Sequence, residues 1–128
     1  MDTPQEGRQK KILIVEDDTF LMSLLARKLS SKGYKLSIAK DGLQALEVTK
    51  NEKPDTILLD ILLPHMNGFE VLEKLKASDD TKNIQVIMLS NLGQQTDIDK
   101  ALKLGASQFL VKANTTPDEI VTKIEGIL

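Results

Sequence analysis

The chain has 128 residues, 41% of them hydrophobic and 28% charged, which fits one ordinary globular domain and is too short for two well-formed cores. It contains no Cys and one His, so disulfide frameworks, thiolate or histidine-rich metal centres and Cys nucleophiles are excluded, and a Ser–His triad is disfavoured. A formal net charge of -2 gives no strong pull on nucleic acid or anionic membrane, and no apolar run approaches the ~20 residues of a membrane helix.

Met1 to Lys10 is polar, has no apolar stretch of the secretory kind, and reads as a tail before a domain over residues 11–128. A cytoplasmic location is the default expectation. Ile12-Leu13-Ile14-Val15 is the first predicted strand. Phe20, Leu21, Leu24, Leu25 and Leu29 then recur at helical spacing, and Gly33 marks the helix end. Lys35-Leu36-Ser37-Ile38-Ala39 alternates polar and apolar, as a strand with one wet face does. After the Asp41-Gly42 turn, Leu43, Leu46 and Val48 lie on a second helix ending before Pro54. Thr56-Ile57-Leu58-Leu59 is the third strand, followed by a loop with Pro64 and Gly68 and a third helix carrying Phe69, Leu72 and Leu75. Val86-Ile87-Met88-Leu89 is the fourth strand, and Ile98, Ala101, Leu102 and Leu104 mark a fourth helix closed by Gly105. Phe109-Leu110-Val111 and a helix with Ile120, Val121, Ile124 and Leu128 complete the pattern.

Five strand–helix alternations with short connections predict an α/β fold, a doubly wound (βα)5 parallel sheet with helices on both faces. Strands one, three and four are continuously apolar, as strands buried on both faces must be, whereas strand two alternates as an edge does. That pattern fits the order 2-1-3-4-5, flavodoxin-like, and ligands in such sheets sit at the carboxyl ends of the strands near the switch point.

Those ends carry Glu16-Asp17-Asp18, Asp60, Ser90-Asn91 and Lys112. Acidic residues after strands are often helix caps, and Asp17 or Asp18 suits the first helix. Three carboxylates from two strands at one rim need more explanation. Two such charges ~4 Å apart repel by about 4 kcal/mol at an effective dielectric near 20, so one must protonate or a cation must join them. An all-oxygen set without His or Cys points to a hard ion, magnesium (Mg2+) before calcium. Asp60 then suits nucleophilic attack on phosphorus, with Ser90 and Lys112 offsetting charge on phosphoryl oxygens.

Ile12 to Asp18, Asp60-Ile-Leu-Leu-Pro-His-Met-Asn-Gly68, Leu89-Ser90 and Gly105 to Lys112, in this order and at strand ends, resemble the receiver domain of two-component response regulators over residues 11–128. The resemblance implies Asp60 as phosphoacceptor, Glu16 and Asp17 as the acidic pair, and the Leu62 backbone carbonyl as a further magnesium ligand. It also implies Ser90 and Lys112 as phosphoryl contacts and Phe109 as an aromatic switch position. The implied partners are a sensor histidine kinase or histidine phosphotransfer protein and a downstream protein target, with no nucleic acid or membrane bound by this chain. The family's site lysine normally precedes a cis proline, where this chain has Ala113; Asn91 is bulkier than the usual residue, and Ser107-Gln108 replaces an acidic pair of DNA-binding relatives.

The leading expectation is a stand-alone or early-cut switching module whose chemistry is on itself, not an enzyme. A magnesium-dependent phosphohydrolase with an aspartyl-phosphate intermediate is the alternative, but Leu62 and Leu92 stand where water would have to be oriented. A degenerate scaffold is a third reading, opposed by the complete set of acidic, hydroxyl and lysine residues. Lone His65 and Asp79-Asp80 read as solvated, and Gly68 as serving backbone geometry near a helix start.

Overall fold

The computed structural model describes residues 9–91 and 93–128, so most of the polar tail and Leu92 lie outside the described residues. Five strands alternate with five helices: β1 Lys11–Val15, α1 Thr19–Ser31, β2 Lys35–Ala39, α2 Gly42–Glu52, β3 Thr56–Asp60, α3 Gly68–Ala77, β4 Gln85–Ser90, α4 Gln95–Lys103, β5 Gln108–Val111 and α5 Pro117–Ile127. The sheet is parallel throughout, in the order β2-β1-β3-β4-β5. Gln9 and Lys10 are tied to it: the Gln9 amide donates to the Gly33 carbonyl at 2.8 Å, and the Lys10 carbonyl accepts from Lys35 N at 2.9 Å.

Alternation of side chains along each inner strand divides the core in two. Leu13, Val15, Ile57, Leu59, Val86 and Met88 pack against residues of α2, α3 and α4, including Ala45, Leu72 and Ala101. Ile12, Ile14, Leu58, Ile87 and Leu89 pack on the other face against residues of α1 and α5, including Leu25, Leu29, Ile120 and Ile124. Because both faces are covered, β3 is buried along its whole length, and β1 and β4 everywhere but at their first residue. β2, at one edge, buries only Ala39.

Three apolar residues expected on core-facing stripes are exposed instead. Phe20 is 79% exposed, Leu43 57% and Leu102 47%. The buried stripe of α1 runs through Met22, Leu25 and Leu29, and that of α2 through Gly42, Ala45 and Thr49. At 3.6 residues per turn, Phe20 lies about 200° round the helix from Met22, and Leu43 about 200° from Ala45. The predicted helix ends at Gly33 and Gly105 hold, for a conformational reason. Both have positive φ, 94° and 107°, and the amides that follow, Tyr34 N and Ala106 N, reach back to Leu29 O and Ala101 O at 3.3 and 3.0 Å. This is the left-handed helix stop that glycine adopts without a Cβ penalty.

Thr56 opens β3 fully buried, and its hydroxyl has no hydrogen-bond partner among the described residues. An unpaired buried hydroxyl costs about 1–3 kcal/mol, and valine has nearly the same shape. Thr56→Val is therefore expected to raise stability by about 1 kcal/mol in urea denaturation, and a variant less stable than the parent would show that the hydroxyl is satisfied.

Candidate functional site

The parallel arrangement brings the carboxyl ends of β1, β3, β4 and β5 to one rim. Glu16 extends the β1–β2 ladder by one residue, its amide donating to Ala39 O at 3.1 Å, so its side chain is held at the sheet's end and buried to 1% exposure. Asp60 is the last residue of β3, in register with Leu89, and Ser90 the last of β4, in register with Val111. Both are buried. Lys112 follows β5 directly, in a single 3-10 turn over Lys112–Asn114. No cis peptide bond occurs among the described residues, so the Lys112–Ala113 bond is trans.

The Lys112 ammonium bridges the two buried carboxylates, lying 2.7 Å from Glu16 Oε1 and 3.0 Å from Asp60 Oδ2. The second Glu16 oxygen accepts from Asp18 N at 3.0 Å, and Asp60 Oδ1 accepts weakly from Leu62 N at 3.4 Å. Asp17 is exposed, yet carboxylate oxygens of Glu16, Asp17 and Asp60 all lie within 4.8 Å of one another. Asp18, not Asp17, caps α1, accepting from Phe20 N and Leu21 N, which leaves Asp17 free of that duty. The repulsion inferred from sequence is thus met in both expected ways. An ammonium joins two of the groups, and burial pushes the Glu16 carboxyl up to about 7 against the pull of Lys112 and the Asp18 amide, with the Asp60 charge adding to the rise. Burial alone would lower the Lys112 pKa, but the hydrogen bonds to Glu16 and Asp60 prevail and hold it above its ordinary value.

Gly68 matters through close approach rather than an unusual φ. A Cβ there would lie 2.2 Å from the Asp60 carbonyl oxygen and 2.8 Å from Ile61 Cα. The Gly68 amide donates to Ile61 O at 2.8 Å, and Asn67 and Glu70 form a reciprocal capping box, so α3 begins against the strand end that carries Asp60. The loop between them turns at His65, exposed with φ 70°, where Met66 N reaches back to Pro64 O at 2.8 Å. Leu62 is 56% exposed beside Asp60, and Asn91 is exposed. Phe109 is half-buried against the α2–α4 side of the core. Of the two acidic candidates for capping the first helix, Asp18 is the one that does so, whereas the bridging role of Lys112 had no distinct sequence signal.

With this geometry in view, comparison with known proteins is direct. The family model for the response regulator receiver domain matches residues 12–125, so the chain belongs to that family, the receiver domains of two-component signalling. A probable transcriptional regulator, ycf27, of Cyanophora paradoxa is 35% identical over 123 residues, covering 96% of this chain and 50% of that protein. The chain therefore spans about half the length of such curated relatives. Among solved structures, the chemotaxis protein CheY4 of Vibrio cholerae superposes with a TM-score of 0.86 at 25% identity, covering 94% of this chain and 100% of that one. The Mn(2+)-bound form of response regulator Rcp1 gives a TM-score of 0.79 at 31% identity, covering 92% and 91%.

The raised Glu16 carboxyl sets a pH dependence. Between its ordinary value of 4.5 and about 7, the folded protein keeps a proton that the unfolded chain has released, so metal-free stability falls as pH rises through that window. Thermal melts in chelator should show a decline from about pH 5 to about pH 8 that is steeper for the parent than for Glu16→Gln. Equal slopes would mean that Glu16 titrates normally.

Proposed function

We propose that the chain is a phosphoacceptor switch: Asp60 receives a phosphoryl group from a phosphohistidine on a sensor histidine kinase or histidine phosphotransfer protein. The receiver unit is residues 11–128. The observation that carries this reading is one lysine ammonium bridging Glu16 and Asp60 within a group of three carboxylates.

The donor set suits a divalent hard ion. Three carboxylates against one ammonium leave surplus negative charge, every ligand is oxygen, and Rcp1 of the same fold binds Mn(2+). Glu16, Asp17, Asp60 and the Leu62 carbonyl would hold magnesium, which supplies charge neutralisation at the transferring phosphoryl group. The rest falls to the chain's own groups. A carboxylate oxygen of Asp60 forms a bond to phosphorus as the phosphorus–nitrogen bond of the donor breaks, and the donor imidazole keeps the released electron pair. Lys112, already 3.0 Å from Asp60 Oδ2, pairs with the phosphoryl oxygens that replace the lost carboxylate charge. Ser90, buried at the end of the neighbouring strand, contacts another of those oxygens. The resulting movement of the Lys112 ammonium and the Ser90 hydroxyl toward the phosphoryl group biases the α4–β5–α5 face, including Phe109, toward a form with altered affinity for a target protein.

The phosphohydrolase alternative has less support. Repeated release of phosphate needs a group that activates water, and the exposed Leu62 side chain offers none.

Incubation with acetyl phosphate and magnesium should give a phosphoryl adduct that peptide mass spectrometry places on Asp60, absent in Asp60→Asn and without chelator-resistant formation. An adduct elsewhere, or none, overturns the reading. Magnesium should also raise the melting temperature, because it binds the folded arrangement alone, and Asp17→Asn should reduce that rise at least threefold while leaving the metal-free protein no less stable. A less stable metal-free variant would show that the carboxylates do not repel.

A further inference from the structure

A cavity of ≈ 520 Å³ lies between the C-terminal ends of α2 and α3. Since α2 leads into β3 and the segment after α3 leads into β4, this is the amino end of the sheet, opposite Asp60. Its floor is apolar: buried Leu75 with half-buried Leu46 and Ile84. Its walls carry Lys50, Lys53 and Lys74, with Ser78 and a single carboxylate, Asp80.

Several other lysines in the chain are engaged. Lys28, Lys32, Lys35, Lys82 and Lys112 each form an ion pair. Among the described residues the ammoniums of Lys50, Lys53 and Lys74 form neither an ion pair nor a hydrogen bond. Lysines near a helix C-terminus can hydrogen-bond its last carbonyls. Here other donors have taken them. Glu52 O accepts from Lys11 Nζ at 3.1 Å, Thr49 O from Lys53 N at 2.9 Å, and Leu75 O from Thr81 Oγ1 at 2.6 Å. Ser78 O accepts from the amides of Lys82 and Thr81 at 2.9 and 3.2 Å. The neighbouring Asp79 is paired with Lys82 at 3.0 Å, so it does not neutralise the cavity. The cavity wall is braced as well, because the Lys76 ammonium is tied to the carbonyls of Lys82 and Ile84, both at 2.9 Å.

Three lysines against one aspartate give the residues lining this concavity a formal surplus of two positive charges. That surplus matches a phosphate monoester, which carries about -1.5 to -2 near neutrality, better than a monoanionic carboxylate. The volume is in the range of about 300–1,000 Å³ that small-molecule sites occupy. We propose that this cavity binds a small organic phosphate, its phosphate held by Lys50, Lys53 and Lys74 and its apolar body resting on Leu46, Leu75 and Ile84. The site is independent of the acceptor chemistry at Asp60, so either can fail without the other.

The test is a titration of 15N-labelled full chain with 1-naphthyl phosphate in magnesium-free buffer, followed by amide chemical shifts. Saturable shifts are expected at Lys50, Lys53, Lys74, Ser78 and Ile84, with inorganic phosphate, which lacks the apolar body, at least tenfold weaker. The combined Lys50→Gln, Lys53→Gln and Lys74→Gln variant should weaken binding at least tenfold, whereas Lys103→Gln, outside the cavity, should not change it. Shifts that do not saturate, that centre on the Asp60 rim, or that survive the triple substitution overturn the proposal. Should the triple variant unfold, the parent's titration still decides, because the location and saturation of its shifts are read without any substitution.

Discussion

The contact on which the rest of the site depends is the Lys112 ammonium held between Glu16 and Asp60. Each of the two carboxylates ends or follows an inner strand, and both are almost fully buried. Side by side in a poorly solvated rim they would push the strand ends apart, at a cost of several kcal/mol. One ammonium compensates two charges, and the partial protonation of Glu16 near neutrality relieves what remains. The site is therefore balanced without being neutral, and Asp17 adds a further negative charge at its exposed lip. Three carboxylates against one ammonium leave the rim with surplus negative charge.

That arrangement follows from sheet topology. Parallel strands point all their carboxyl ends the same way, so residues 16, 60, 90 and 112, far apart in sequence, share one rim once the order β2-β1-β3-β4-β5 is adopted. Two helix starts on this side of the sheet are brought close by missing side chains. Gly68 lets α3 start against the Asp60 carbonyl, and Gly42 lets α2 start against Met66, where a Cβ would lie 2.5 Å from the Met66 carbonyl oxygen. The loop carrying Leu62 is consequently fixed at both ends, by the strand before it and by the capped helix after it.

Much of this was legible in the sequence because burial on both faces of a sheet leaves a strong mark. Ile12 to Val15, Ile57 to Leu59 and Val86 to Leu89 are unbroken apolar runs, and the alternation of Lys35 to Ala39 marks the edge. The gathering of Glu16, Asp17 and Asp60 followed from topology plus the position of acids after strands. Helix faces were less legible. Phe20 and Leu43 belong to the apolar residues that mark the first two helices, yet they face solvent, because the buried stripes run through Met22 and Ala45 about 200° away. Lys112 was visible as a cation at the rim, but its simultaneous contact with two carboxylates depends on side-chain reach across β1, β3 and β5, which no local pattern encodes. The substitution of Ala113 for the family's proline is absorbed by a trans bond and a 3-10 turn, which still leave Lys112 on both carboxylates.

A net charge of -2 conceals a division of charge along the strand axis. The carboxyl end of the sheet gathers Glu16, Asp17 and Asp60 around a single lysine, and the amino end gathers Lys50, Lys53 and Lys74 around Asp80. Helices α2 and α3 run between the two, each starting near the acidic rim and ending at the basic cavity. Their macrodipoles place positive partial charge at the acidic end and negative at the basic end, so both clusters are stabilised by the same two helices. The opposed clusters are thus compatible with the backbone's own field.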